Sequence, residues 1–523
     1  MVAVDMCSRF RPGWLAVAAV GVLLVGCSGT EEPEAAPDTS STAVAPATAQ
    51  ADRMLSIDGG EAVATLSPRF QSYNIEMVEV TGGEFWKPYD AGPGKVLRAP
   101  IDLGSERLRN LARALGPAYV RVSGTWANST YFDVDGSTGG VAPAGYQGVL
   151  TGQQWIGVGE FADAVDGQVV TSFAVNTGTR DATGVWLDDQ ARALMQFSLD
   201  NDVPLVAAEF YNEPGVNIGL PGGYDAASFA RDFEIFTAAV DEVMPDLMIL
   251  GPGSGDDVTP IIIEPPIRST DILDRIDASS FEIFSYHFYP KVSERCGSQE
   301  GPEIALTDDY LSRIEADKEY YQGLRDDYTP GAPMWITETA QAACGGDRWA
   351  SHYVDVIRYV DTLGRLASGD GDVVFHNTLA ASDYGLIDED GFEPRPTYWA
   401  ALLWQRLMGQ EVLAVDPEEP VAGLAVYAHC TPDSDQPSVT YAVVNSSATE
   451  DRTVAPATGE AQVYLLSGEA LDSASASLNG KTLTVADDGA LPALEGEAAD
   501  GVVTVPPASV AFVVEPTEAA ACA

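Results

Sequence analysis

The stretch LVAAEFYNEP, residues 205–214, together with MWITET, residues 334–339, decides how this chain is read. Each is a short apolar run that ends on carboxylates. A parallel barrel delivers functional side chains at the C-terminal ends of its strands, and both stretches have that form. Working outward, β-rich runs recur at 71–77, 119–123, 169–175, 205–210, 247–250, 283–288, 334–338 and 373–378. Helix-like stretches lie between them, among them 105–115, 187–200, 224–243 and 349–366. Eight strands alternating with helices predict an α/β fold of the (β/α)8 TIM-barrel class over residues 70–410. The alternative, a doubly wound open sheet, is less well supported, because no GxGxxG or Walker loop follows an early strand.

Beyond residue 411 the helical period stops. Short alternating runs at 423–429, 438–444, 462–466, 481–485 and 502–514 are separated by Gly, Asp and Ser, which predicts an accessory β-sandwich over 411–523. Residues 54–69 are also strand-like, and they are expected to join that sandwich. Upstream, Arg9 and Arg11 precede an apolar run from Trp14 to Val25 that is short for a membrane span, and it ends in LVGC, residues 24–27. This reads as a lipoprotein signal, residues 1–27, with Cys27 as the lipidated residue and membrane anchor. Residues 28–53 are rich in Ser, Thr, Ala, Pro and Glu and read as a disordered tether.

Export to the cell surface implies an oxidising compartment. Apart from Cys7 and Cys27, four cysteines remain: Cys296, Cys344, Cys430 and Cys522. The first two fall in the barrel and the last two in the sandwich. The pairing 296–344 with 430–522 is therefore expected, one of the three that four cysteines allow. With four His and no CxxC pair, no structural zinc, other metal or cofactor is expected. The balance of 28 Lys+Arg against 78 Asp+Glu, a formal net charge of -50, repels nucleic acids and anionic membranes. No nucleic-acid partner is expected, and heavily sulfated polysaccharides should be disfavoured.

Glu213 and Glu338, at the ends of strands four and seven, are the candidate catalytic pair. Cleaving a glycosidic bond with retention needs two carboxyls about 5–5.5 Å apart, one delivering a proton and one attacking the anomeric carbon. Repulsion between neighbouring carboxyls raises one pKa and helps set the two roles. No GxSxG elbow supports serine hydrolysis.

The chain also resembles the heparanase and β-glucuronidase group of retaining glycoside hydrolases, over roughly residues 54–415. The stretch SERLRNLARALGPAYVRVSGT, residues 105–125, is similar to that group's first barrel helix and second strand. Asn212-Glu213-Pro214 resembles its acid/base motif, and Glu338-Thr339 followed by Gly345-Gly346 resembles its nucleophile loop. SDYGLID, residues 382–388, and PTYWAALL, residues 396–403, resemble its strand-eight loop and helix. The resemblance implies a barrel with a sandwich receiving strands from both termini, and double displacement with Glu213 as acid/base and Glu338 as nucleophile. It implies that Asn212 bonds the sugar 2-hydroxyl and that Glu76 binds sugar. It also implies that Tyr384 meets the C6 carboxylate, and that His287 and Tyr289, in SYHFYP at 285–290, lie near the nucleophile.

Three positions depart from the pattern. Ala343 stands where the group has a tyrosine, Cys344 where it has a glycine whose N–H meets the uronate, and Ser382 where it has another glycine. Arg348 and Lys291 are candidate replacement cations. The segment 133–153 is short, so a single-chain enzyme is expected rather than one matured by excision of a linker. The leading expectation is a β-glucuronidase acting on β-linked uronic-acid glycosides. A neutral-sugar β-glycosidase (β-glucosidase or β-xylosidase type) and a non-catalytic glycan-binding lipoprotein are the alternatives.

Overall fold

In the computed structural model, eight strands close into a parallel barrel: Gln71–Glu76, Ala118–Ser123, Gly167–Ser172, Leu205–Glu209, Met248–Ser254, Ile283–Phe288, Met334–Thr339 and Val373–His376. They are called strands one to eight here, and strand eight pairs back onto strand one. The described residues are 51–523, apart from 90, 91, 93, 217, 256 and 259–266. Cys27 and the expected signal lie outside them. Parallel strands are covered on both faces, which is why they read as nearly continuous apolar runs.

Alternation along the strands stacks two layers inside the barrel. The lower is apolar: the Tyr119 ring lies 4.5 Å from Trp335 and 6.1 Å from Phe375, centroid to centroid. Two residues further along these strands come Arg121 and Thr337, and both bond Glu209 of strand four. The chain thus changes from an apolar plug to a polar layer within one side-chain repeat.

Several expected strands end early. The runs 169–175 and 373–378 stop pairing at Ser172 and His376, and strand four stops at Glu209. The residues beyond these ends stay buried, apolar at Phe173 to Val175 and Phe210 and polar at Asn377 and Thr378, but at the barrel mouth no neighbouring strand continues, so they turn into loops. Between strands one and two the chain adds a short helix, Met77–Thr81, and a hairpin, Gly83–Trp86 with Lys95–Arg98. The expected helix at 349–366 begins only at Asp355, after a 3₁₀ turn at Arg348–Ser351. The helix Glu106–Arg113 is capped by Ser105, whose hydroxyl accepts from the Leu108 amide at 3.4 Å, and it buries Leu108, Leu111 and Ala112.

The sandwich draws on both ends of the described chain. Ile57–Thr65 pairs antiparallel with Glu411–Val415 in a nine-stranded sheet, and Arg53–Leu55 pairs parallel with Arg452–Pro456 in a three-stranded one. Leu55, Tyr441, Val443, Val454, Val505 and Val513 fill the space between them. The larger sheet also leans on the helix that follows strand seven, Asp355–Leu366. Tyr427 donates to Asp361 at 2.7 Å, and a Cβ on Gly364 would strike the Tyr427 ring at 2.3 Å. Cys296 and Cys344 are joined, as are Cys430 and Cys522. Among the described residues no helix is long and apolar enough to cross a membrane.

Outside the barrel mouth, Asp317 on the helix Arg313–Tyr328 is buried with one carboxylate oxygen unbonded. Burial, and secondarily the charge of Asp257, raise its pKa to about 7. An unfolded aspartate titrates near about 4. The folded state therefore binds the extra proton between these values, and the stability this contributes is lost as pH rises through about 7. Asp317→Asn is expected to melt higher than the wild type at pH 8, with the gain shrinking by pH 5. Calorimetry at the two pH values checks this, and an equal difference at both would contradict it.

Candidate active site

Arg121 projects from strand two into the polar layer, where it is almost fully buried. Its Nη1 donates to Glu338 Oε1 at 2.9 Å, and its Nη2 to Glu209 Oε2 at 2.7 Å and Asn212 Oδ1 at 2.8 Å. The other oxygen of Glu209 accepts from Thr337 at 2.8 Å and Ser285 at 3.1 Å. Burial opposes the Glu209 charge, but Arg121 and these hydroxyls outweigh it and hold the pKa below the usual carboxylate value. One guanidinium thereby ties the ends of strands four and seven together.

Glu338 is buried, and its Oε2 accepts from the Tyr289 hydroxyl at 2.8 Å. Burial and the charge of Glu338 push the Tyr289 pKa well up, so this phenol stays a donor. The Asn377 amide donates to Tyr289 at 2.8 Å, to Glu76 Oε1 at 3.2 Å and to Tyr384 at 3.4 Å. The Asn377–Thr378 peptide is cis. The pKa of Glu76 is raised well above its ordinary value by burial first, then by the charges of Glu338 and Glu79. Its Oε2 has no partner among the described residues, and it presses on Gly124, where a Cβ would fall 1.6 Å away.

Glu213 lies beyond strand four with φ 53°, in the left-handed region that is costly for a residue with a Cβ. The turn is held by reciprocal bonds: the Asn212 amide donates to Asn128 Oδ1 at 3.0 Å, and Asn128 Nδ2 donates to the Asn212 carbonyl at 2.9 Å. Glu213 Oε1 meets His287 Nδ1 at 3.1 Å, and Asn212 donates to Glu213 Oε2 at 3.3 Å. One carboxylate oxygen of Glu213, one of Glu338 and a ring nitrogen of His287 all lie within 4.8 Å of one another. Burial alone would lower the His287 pKa; Glu338 and the bond and charge of Glu213 outweigh it and raise it. The Glu213 side chain is 19% exposed and that of Glu338 6%.

The structure thus brings Asn212, Glu213, Glu338, Glu76, His287, Tyr289 and Tyr384 into one constellation. Gly345 stands behind it. Its carbonyl accepts from Ser382 Oγ at 2.9 Å, and a Cβ on it would meet Trp86 Cβ at 2.6 Å. The Cys296–Cys344 disulfide and the bonds Ser293 N to Ala343 O, 3.0 Å, and Ala343 N to Lys291 O, 2.9 Å, join the loops after strands six and seven. Of the two candidate cations, Lys291 is buried and held by Asp347 at 2.7 Å, so it is not available to a ligand. Arg348 lies over the Tyr89 ring. Sequence reading passed over Arg121, Glu209, Asn128 and Asn377. The signal for the first was present, since an arginine inside the apolar run YVRVS of a barrel strand must be paired.

A closed parallel barrel with paired carboxyls at the ends of strands four and seven, flanked by a sandwich, defines a glycoside hydrolase with a carbohydrate substrate. No protein-family model matches the chain. It is 26% identical over 384 residues to heparanase-like protein 1 of Arabidopsis thaliana, covering 69% of this chain and 67% of that protein. To the baicalin-β-D-glucuronidase of Scutellaria baicalensis it is 28% identical over 279 residues, covering 51% and 49%. Among solved structures, a 4-O-α-L-rhamnosyl-β-D-glucuronidase from Fusarium oxysporum aligns with TM-score 0.63 at 16% identity, over 88% of this chain and 99% of that one. The chain is thus similar to the heparanase and β-glucuronidase group of glycoside hydrolases.

Arg121→Met is expected to leave Glu209 and Glu338 as unpaired buried carboxylates. Breaking a buried pair in this way costs about 3–5 kcal/mol. Chemical denaturation at pH 7 measures it, and a loss below about 1 kcal/mol, the size of an exposed pair, would contradict the bridging role.

Proposed function

We propose that the chain hydrolyses β-linked glucuronides by double displacement, with Glu338 as nucleophile and Glu213 as acid/base. The observation that carries this is the close approach of the two carboxylates, within 4.8 Å between nearest oxygens. Retaining enzymes hold these groups about 5–5.5 Å apart, whereas inverting ones need about 6.5–9.5 Å to admit a water. Arg121 and Tyr289 each bond one oxygen of Glu338 and so aim it at the anomeric carbon, which it attacks as Glu213 gives its proton to the leaving oxygen. Glu213, having given up its proton, then takes one from the water that attacks the glycosyl ester, which releases the sugar and restores the Glu338 carboxylate. The greater exposure of Glu213 suits the group that must meet a leaving group and then water. Asn212, oriented by Arg121, is suited to bond the 2-hydroxyl, and Glu76, whose Oε2 has no partner among the described residues, is suited to bond another hydroxyl. The glucuronide follows from the plant glucuronidase relative and from Tyr384 beside Asn377.

Glu338→Gln is expected to abolish turnover of every glycoside. Glu213→Ala should spare aryl glycosides with good leaving groups, which need little protonation. NMR of the first-formed sugar should show the β-anomer; an α-anomer would overturn retention. Heparan sulfate should be a poor substrate that improves with salt, because the net charge of -50 repels a polyanion.

We further propose that the protein is exported and anchored through lipid on Cys27. The LVGC motif and two disulfides support this reading. A multi-acyl anchor holds firmly where one chain binds only marginally. Cys27→Ser should move the protein from the membrane fraction to the medium; retention in that fraction would refute the anchor.

A further inference from the structure

The hairpin between strands one and two leads to a cationic device at the mouth. Lys95 stands opposite Trp86 in the hairpin register. Its ammonium lies 4.6 Å from the centre of the Trp86 ring and 4.7 Å from that of Trp126. Two indoles thus hold one cation between them, which fixes a long side chain that would otherwise move freely. Lys95 is nevertheless exposed, and among the described residues it makes no ion pair.

The placement of the two tryptophans puts this ammonium at the site. Trp86 touches the position where a Cβ on Gly345 would lie. Trp126 follows Gly124, the residue against which Glu76 is pressed, and packs edge-on against Phe85 at 4.9 Å. Phe85 in turn packs with Ala381 of the loop after strand eight. Partial burial lowers the Lys95 pKa, and the charges of Glu84 and Glu76 oppose that.

The charge balance supplies the need. Glu76, Glu209, Glu213 and Glu338 surround the sugar position, and the one guanidinium among them, Arg121, is spent on Glu209 and Glu338. Arg295 is spent on Asp383 and Lys291 on Asp347. A further carboxylate entering this cleft is repelled unless a free cation meets it. We propose that Lys95, clamped between Trp86 and Trp126, receives the carboxylate of an acidic sugar and sets the preference for uronides over neutral glycosides. This rests on the glucuronidase reading above, and it gives the anion-recognition role to a hairpin for which the family resemblance implied no role.

The test uses the full chain with 4-nitrophenyl β-glucuronide and 4-nitrophenyl β-glucoside. Losing a charge-assisted bond in Lys95→Met should raise KM for the glucuronide about tenfold or more, with kcat/KM for the glucoside unchanged within about twofold. Lys95→Arg should restore most of the glucuronide preference. An equal fall on both substrates marks a merely structural role and overturns the proposal, as does no change on either. Loss of the preference in Arg348→Gln but not in Lys95→Met also overturns it, and so does a wild type that prefers the glucoside. A wild type that cleaves neither glycoside defeats the glucuronidase reading itself. Calorimetry with free glucuronate and glucose then decides Lys95: glucuronate binding lost in Lys95→Met supports it, and equal binding or none by both proteins overturns it.

Discussion

The guanidinium of Arg121 stands inside the barrel between the ends of strands four and seven and bonds Glu209, Glu338 and Asn212 at once. Each carboxylate alone would be a buried charge that the fold could not hold, and the arginine alone would be as costly. Together they satisfy one another, and the planar fork of the guanidinium fixes their directions. Everything reactive is built outward from this point. Asn212 carries the turn that holds Glu213 in a left-handed conformation, and Glu338 carries the Tyr289, Asn377 and Glu76 chain on its other side.

A second constraint is the excess of negative charge. The chain carries a net -50, and its cleft collects four carboxyls. The barrel manages this locally by two means. It pairs some of them with cations, as Arg121 does, and burial raises the pKa of Glu76. Such differences of environment set neighbouring carboxyls apart within a few ångströms. Against this excess stands the ammonium of Lys95, which makes no ion pair among the described residues.

The loops after strands six, seven and eight are held by several independent ties. The Cys296–Cys344 disulfide is one, and a closed loop of this size is worth about 3–4 kcal/mol against the unfolded chain. Arg295 adds bonds to the Cys344 and Gly346 carbonyls and an ion pair with Asp383. The departures at Ala343, Cys344 and Ser382 are therefore accommodated in an ordered frame. Cys344 takes φ 63° and Ser382 φ 58°, so the backbone keeps a glycine-like path without glycine.

By itself, the sequence determined the features that depend on local pattern. Eight apolar runs alternating with helical stretches specify the barrel, because a strand buried on both faces must be apolar and its helix amphipathic. Two of those runs end on Asn212-Glu213 and Glu338, and the barrel's geometry carries such ends to one mouth. Only the tertiary structure decided the partners. Arg121, Glu209 and Asn377 belong to strands far apart in the chain, and no spacing rule links them until the barrel closes. Glu76 and Glu338 are both glutamates in sequence, and only their partners separate them: Arg121 and Tyr289 meet Glu338, while the Asn377 amide meets Glu76. The Trp86–Lys95–Trp126 stack joins a hairpin to the turn after strand two, a contact fixed by loop packing, which leaves no periodic trace in the sequence.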